Sequence, residues 1–349
     1  MLSLFIPVGI IIAASLITLA SISLNLFFLQ LLWVVVGAGI IVFFLFFDWR
    51  ALLNYRWFIT GLYVLVILLL VFVYVEGPTV RNIKSWIVVG PFNFQPVELM
   101  KIALILVYAS YFSRRHLSIA RWKTIGSSFF LFLVPAILTI IEPDFGAALI
   151  FFGIWFGFVL LSGLPPRRIA ATVLILALVG VFAWFYVLRD YHRARIIGFF
   201  DPQAQSLGVN YSVTQSKIAV GSAGFWGKGY GGGTETQLGF LTVPESDFVF
   251  AAFIEQWGMF GGLVVIGGFL YLIYAILAIG ARAERNFEMF VCIGTVIVFG
   301  MQFFLNAGSE LGLLPVIGVT FPFLSYGGSS MAANFFLIGV VNAIRKGQK

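Results

Sequence analysis

Hydrophobic and polar positions divide the chain into long apolar runs separated by shorter polar ones. A helix needs about 17 to 25 residues to cross roughly 30 Å of hydrocarbon. Runs of about that length fall at 3–22, 26–47, 57–75, 97–112, 125–141, 147–162, 169–188, 248–279, 287–305 and 325–344. The pattern predicts an all-α membrane protein, a polytopic bundle of ten transmembrane helices with both termini on one side. It reads as a single integral membrane domain over 1–349, with no linker, repeat or soluble catalytic domain.

The polar runs alternate in kind. Arg50 and Arg56, then Arg114, Arg115, Arg121 and Lys123, then Arg167 and Arg168, then Arg282 and Arg285, and finally Arg345, Lys346 and Lys349 fall on the side of the termini. The short loops opposite hold Arg81 and Lys84. The excess of cations on cytoplasmic loops places both termini in the cytoplasm. The other side then carries 76–94, the Glu142-Pro-Asp-Phe-Gly146 turn, a large extracytoplasmic loop at 189–246 between spans seven and eight, and 306–324. A loop of that length is uncommon unless functional or disordered, and this one is too rich in apolar residues for disorder. It is expected to fold back onto the membrane, with a short amphipathic helix near 211–220.

Composition agrees: 61% of residues are hydrophobic and 10% charged, against about 25% charged in a soluble domain. The net charge of +7 is accounted for by topology, and no nucleic-acid partner is implied. The N-terminus lacks the cationic start of a cleaved signal, so its first run reads as a retained span. Cys292 is the one cysteine, and His116 and His192 lie far apart, which argues against a His/Cys metal cluster.

The candidate chemistry is extracytoplasmic. Asp247, in Gly239-Phe-Leu-Thr-Val-Pro-Glu-Ser-Asp-Phe-Val-Phe-Ala251, stands between a polar loop and an apolar run, where an ionisable group is costly unless it has a purpose. The competing reading is that Ser246 or Asp247 caps the helix that follows. Glu98 and Lys101 are one helical turn apart and can pair, either facing a cavity or as an interfacial clasp with Lys101 snorkelling. Asp144 is a turn or capping residue, or a contact to substrate or cation. Arg193, Arg195, Lys217 and Lys228 suit a pyrophosphate, and equally anionic lipid headgroups. The run from Gly221 to Gly233 is no Walker A loop, because the spacing and the Ser or Thr after Lys228 are absent. It lets backbone approach a sugar or phosphate, or is a mobile loop. At Gly327, Gly328, Ser329 and Ser330, small residues allow close helix packing.

Seven stretches taken in order carry a resemblance. They are Phe94-Gln-Pro-Val-Glu-Leu-Met-Lys101, Glu142-Pro-Asp-Phe-Gly146, Arg195-Ile-Ile-Gly-Phe-Phe-Asp-Pro202, Tyr211-Ser-Val-Thr-Gln-Ser-Lys-Ile-Ala-Val-Gly-Ser-Ala-Gly224, Gly227-Lys-Gly229, Phe240-Leu-Thr-Val-Pro-Glu-Ser-Asp-Phe-Val-Phe-Ala251 and Leu314-Pro-Val-Ile-Gly-Val-Thr-Phe-Pro-Phe-Leu-Ser-Tyr-Gly-Gly-Ser-Ser330. From the third span onward the chain resembles the SEDS proteins (shape, elongation, division and sporulation), closest to the elongation branch. The resemblance implies a ten-span glycosyltransferase that polymerises lipid II into peptidoglycan strands beside a class B penicillin-binding protein. The family's essential aspartate, in Phe-Leu-Pro-Glu-x-His-Thr-Asp-Phe, maps onto Asp247 when Phe240-Leu241 and Asp247-Phe248 are kept in register. Thr242, Val243, Glu245, Ser246 and Val97 depart from the family pattern, as do Gln256 and Trp257 after Glu255.

Because lipid II carries its own activated pyrophosphate, a base and cations suffice for the reaction. The expectation is Asp247 as general base, with Arg193, Arg195, Lys217 and Lys228 on the pyrophosphate and Glu98, Lys101 and Asp144 lining the same cavity. No cofactor is required, although a magnesium or manganese ion bridging Asp247 or Asp144 to the pyrophosphate is chemically reasonable. The rival classes are a lipid-linked precursor flippase, a division or sporulation paralogue, and a scaffold that only recruits the transpeptidase.

Overall fold

The computed structural model describes residues 2–47, 55–78, 84–89, 92–114, 122–161, 165–186, 188, 193–194, 197–199 and 210–348. Each of the ten expected spans coincides with a helix: α1 (Leu2–Ile22), α2 (Leu24–Phe46), α3 (Arg56–Glu76), α4 (Pro96–Ser113), α5 (Trp122–Ile141), α6 (Phe145–Leu161), α7 (Pro166–Tyr186), α10 (Val249–Ala281), α11 (Asn286–Glu310) and α12 (Gly328–Lys346). Among the described residues, the short helices α8 (Tyr211–Ser222) and α9 (Thr234–Gln237) lie between α7 and α10, and 193–194 and 197–199 are also helical. Seven of the ten are at once long and apolar enough to cross a membrane, and α6 is an apolar helix of 17 residues. The chain is a multi-pass membrane protein.

The helices pack as neighbouring pairs: α1 on α10, α2 on α12, α3 on α4, α5 on α6, and α11 against both α10 and α4. Their shared centre is aromatic. Phe112 stacks on Phe158 with centroids 5.8 Å apart, and Phe158 meets Phe290 at 5.9 Å. Small residues let backbones close up around that centre, as expected where helices have no hydrophobic drive to associate in lipid. A Cβ on Gly294 would stand 2.7 Å from Ile105, and one on Gly328 would lie inside the Trp33 ring contact at 2.1 Å, so α12 seats directly on α2.

Three local features differ from the sequence expectation. The segment 76–94 contains a two-stranded antiparallel hairpin, β1 (Ile87–Val89) and β2 (Phe92–Phe94), with Val88 opposite Asn93. Helix α11 continues to Glu310 rather than stopping at 305, while α12 starts at Gly328 rather than 325. Between them, 311–327 is largely irregular backbone with Phe321, Phe323, Leu324 and Ser325 buried. Such backbone survives at membrane depth only where protein satisfies its polar groups. Here Asn306 Nδ2 donates to Val319 O, Ser325 Oγ accepts from Phe321 N, and Tyr326 N donates to Glu245 O.

The third difference is a break inside α10 at Gly258, whose φ of 71° favours glycine. The glycine-rich run packs into this break. Lys228 N and Gly229 N donate to Glu255 O and Gln256 O, while Met259 N and Phe260 N donate to Gly224 O and Phe225 O. A Cβ on Gly258 would stand 2.2 Å from Phe225 O. The run is therefore the partner that satisfies the backbone of an opened helix.

Candidate functional site

Asp247 is half-buried, two residues ahead of α10. It is not the cap residue of that helix. Phe248 occupies the N-cap position without a side-chain bond, and the first-turn amides of Phe250 and Ala251 go instead to the carboxylate of Glu310. Ser246 Oγ donates to Asp247 Oδ1 at 3.0 Å, and Asn306 Nδ2 donates to Asp247 O at 3.2 Å. The same Asn306 amide reaches Val319 O, so one side chain fastens Asp247 to the irregular loop. Beside Asp247, Gly318 has a φ of 73°, and a Cβ there would lie 3.7 Å from Asp247 Oδ2.

A second acidic group meets the same loop. Pro96 opens α4, which suits the first turn, and it places Glu98 near the positive end of the helix dipole. Glu98 and Lys101 are both buried and form an ion pair across one turn. Across from them, Asp144 accepts from Ala147 N at 3.0 Å, starting α6, and from Gln95 Nε2 at 3.4 Å. Burial holds the Asp144 carboxyl above its usual range; Lys101 pulls it down and Glu98 pushes it up. Its neighbour Gly146 abuts Ile317 O and Val319, where a Cβ would stand 3.0 Å from each. Asp247 and the turn that carries Asp144 therefore both reach the three residues 317–319. Asp144 caps α6 through Oδ1, which accepts from Ala147 N, while Oδ2 accepts from Gln95.

Glu142 lies in the same turn and is buried, accepting from Ser85 Oγ at 3.2 Å. Burial pushes its carboxyl up to about 7, Asp144 adds to the rise, and the Ser85 bond opposes it. The folded state thus holds this proton more tightly than the unfolded chain, whose value is near 4.5. Stability from this group is complete below about 4.5 and is lost as pH rises through about 7. Thermal unfolding in detergent between pH 5 and 8 should show this loss, and Glu142→Gln should flatten it. An unchanged slope in Glu142→Gln would place the titration elsewhere.

The basic residues divide. Lys217, on α8, is exposed and packs over Gly312. It lines a recess with Asn210, Thr214, Pro315 and Val316, next to Ile317. Arg193 donates to Trp184 O and Phe185 O at the end of α7. Lys228 Nζ binds Glu255 Oε1 at 2.8 Å and Thr234 Oγ1 at 2.9 Å, holding the glycine run to α10. Glu255 is fully buried and also accepts from the Glu235 and Thr236 amides. Lys228 is therefore engaged away from Asp247. Arg195 lies outside the described residues.

Sequence reasoning missed Asn306 and Glu310 as partners of Asp247, and Gln95 and Ser329 as partners of the α4 start, where Gln95 N donates to Ser329 Oγ. The available signal was an acid, Glu310, four residues after Asn306 at the end of an apolar run.

The FtsW/RodA/SpoVE family model, described as cell cycle protein, matches residues 1–349. The chain is 35% identical over 288 residues to the peptidoglycan glycosyltransferase MrdB of Escherichia coli K12, covering 82% of this chain and 78% of that one. It is 34% identical over 290 residues to the probable peptidoglycan glycosyltransferase FtsW of Thiomicrospira cyclica, covering 82% and 73%. Among solved structures, it superposes on a chain of a peptidoglycan synthase complex that coordinates polymerization and crosslinking, with a TM-score of 0.86, 29% identity and coverage of 99% and 97%. It also superposes on the rod shape determining protein RodA of Thermus thermophilus, with a TM-score of 0.74, 26% identity and coverage of 100% and 97%.

Proposed function

We infer the function of this chain from one premise: it belongs to the FtsW/RodA/SpoVE family of cell cycle proteins, and like its relatives it is a peptidoglycan glycosyltransferase. Beyond that premise we propose a substrate, lipid II, and a division of labour among the residues. The observation that supports it is that Asp247 stands beside Gly318, while Gly146, in the turn of Asp144, abuts Ile317 and Val319.

In this reading Asp247 accepts the proton of the acceptor sugar hydroxyl. The oxygen so freed attacks the anomeric carbon of the donor, and the bond from that carbon to the pyrophosphate oxygen breaks with inversion. The pyrophosphate leaves on its lipid, taking the electron pair of that bond. Lys217 is the exposed cation nearest this loop, and Lys101 sits on the Asp144 side; both stabilise the departing charge. Arg195 joins them on the strength of the sequence resemblance. Arg193 and Lys228 are assigned to structure, because their donors hold the end of α7 and the glycine run. Among the described residues no three His, Cys, Asp or Glu side chains gather as a metal site; a magnesium or manganese ion would be held by Asp247 or Asp144 together with the pyrophosphate and would neutralise the departing charge.

The reading places both termini in the cytoplasm and Asp247 at the outer face of the membrane, in cell elongation. A class B penicillin-binding protein is the proposed partner; the superposition on a synthase complex of polymerization and crosslinking supports it. Purified protein in detergent, given lipid II alone, should yield glycan strands. A flippase or a scaffold would yield none, and that outcome would overturn the substrate assignment.

A further inference from the structure

Helix α10 starts without a side-chain bond from its own N-cap residue, although the first four amides of a helix need partners. The partner comes from 59 residues away. Glu310 is 0% exposed, and its Oε2 takes the Ala251 amide and the amide of Phe250. One turn earlier on the same face of α11, Asn306 holds the carbonyl of Asp247. Ser216 of α8 donates to Glu310 O at 2.8 Å, tying the end of α11 to the extracytoplasmic layer. Asn306 and Glu310 therefore grip the backbone at 247 and at 250–251, on either side of the N-cap.

We propose that Glu310 is a positioning residue for the glycosyl transfer: by clamping the first turn of α10 it fixes where the Asp247 carboxylate stands. The proposal rests on Asp247 being the base. Two consequences follow from the geometry. The amides of Phe250 and Ala251, which at an open helix start would attract a phosphate, are already occupied, so the pyrophosphate is left to cations. The carboxylate also lies deep enough that no substrate atom need touch it; Glu310 acts through Asp247.

Glu310→Ala removes the acceptor, whereas Glu310→Gln keeps one oxygen for the two amides. A displacement of about 1 Å at a reacting group can cost on the order of a hundredfold in rate. Glu310→Ala should therefore lower turnover of lipid II by about ten- to a hundredfold. On the same preparation the number of lipid II binding sites per protein should be retained, so the loss belongs to the chemical step rather than to unfolded material. Glu310→Gln should restore most of the rate. Hydrogen exchange, followed by mass spectrometry on a peptide covering 249–254, should speed up in Glu310→Ala and return in Glu310→Gln.

The exchange measurement reads the clamp whether or not Asp247 is the base, and turnover of Asp247→Asn reads the base independently of the clamp. Wild-type turnover in a Glu310→Ala protein that binds lipid II would overturn the proposal. So would a Glu310→Gln protein that exchanges like wild type yet turns over no better than Glu310→Ala. Should Glu310→Ala not fold, Asn306→Ala releases the other half of the grip, and its turnover and exchange decide by the same criteria.

Discussion

Asp247→Asn should reduce glycan synthesis from lipid II by about 10²- to 10⁴-fold, the range a positioned general base supplies. The substitution is close to isosteric. An asparagine oxygen can still accept from Ser246 Oγ, and the backbone carbonyl held by Asn306 is untouched. Thermal unfolding and lipid II binding should therefore stay near wild type while the rate collapses, which separates lost chemistry from lost structure. Asp247→Glu keeps the base but displaces it by one methylene. It should recover part of the rate. Polymerisation at the wild-type rate by purified Asp247→Asn would remove Asp247 from the chemistry.

The second large effect is expected at Lys101. Its ammonium is buried against Glu98, and it is the cation that lowers Asp144. Lys101→Met leaves the Glu98 carboxylate buried without its cation, and breaking a buried pair from one side costs about 3 to 5 kcal/mol. Replacing the pair together, as Glu98→Gln with Lys101→Met, removes the orphaned charge and should return most of the unfolding temperature. The two readouts then part company. With Lys101 acting on the departing pyrophosphate, the double variant should be stable but slow; a double variant both stable and active would show that the pair is only a clasp. A single Lys101→Met variant as stable as wild type would show that Glu98 finds another partner.

The position of Asp247 was legible because a carboxylate before a long apolar run is unusual, and that signal is local. Its alternative, a helix-capping aspartate, was equally local and could not be dismissed from sequence. It gives way because Glu310, on another helix, takes the amides of Phe250 and Ala251. Lys228 illustrates the opposite case. A lysine between glycines looks available to phosphate, yet Glu255, 27 residues on, binds it. Arg193 is similar, since the carbonyls that hold it become acceptors only where α7 ends.

What the sequence by itself determined is the set of ten apolar runs and the candidate acids at 98, 144 and 247. Hydrocarbon imposes length and apolarity on each span separately, so each can be read without knowing any neighbour. Only the tertiary structure decided that the glycine run closes the break at Gly258, that Asn306 fastens Asp247 to Val319, and that Glu310 starts α10. Those are pairings between backbone groups and side chains far apart in the chain. A buried polar group must find a partner, but nothing in its own stretch of sequence names which one.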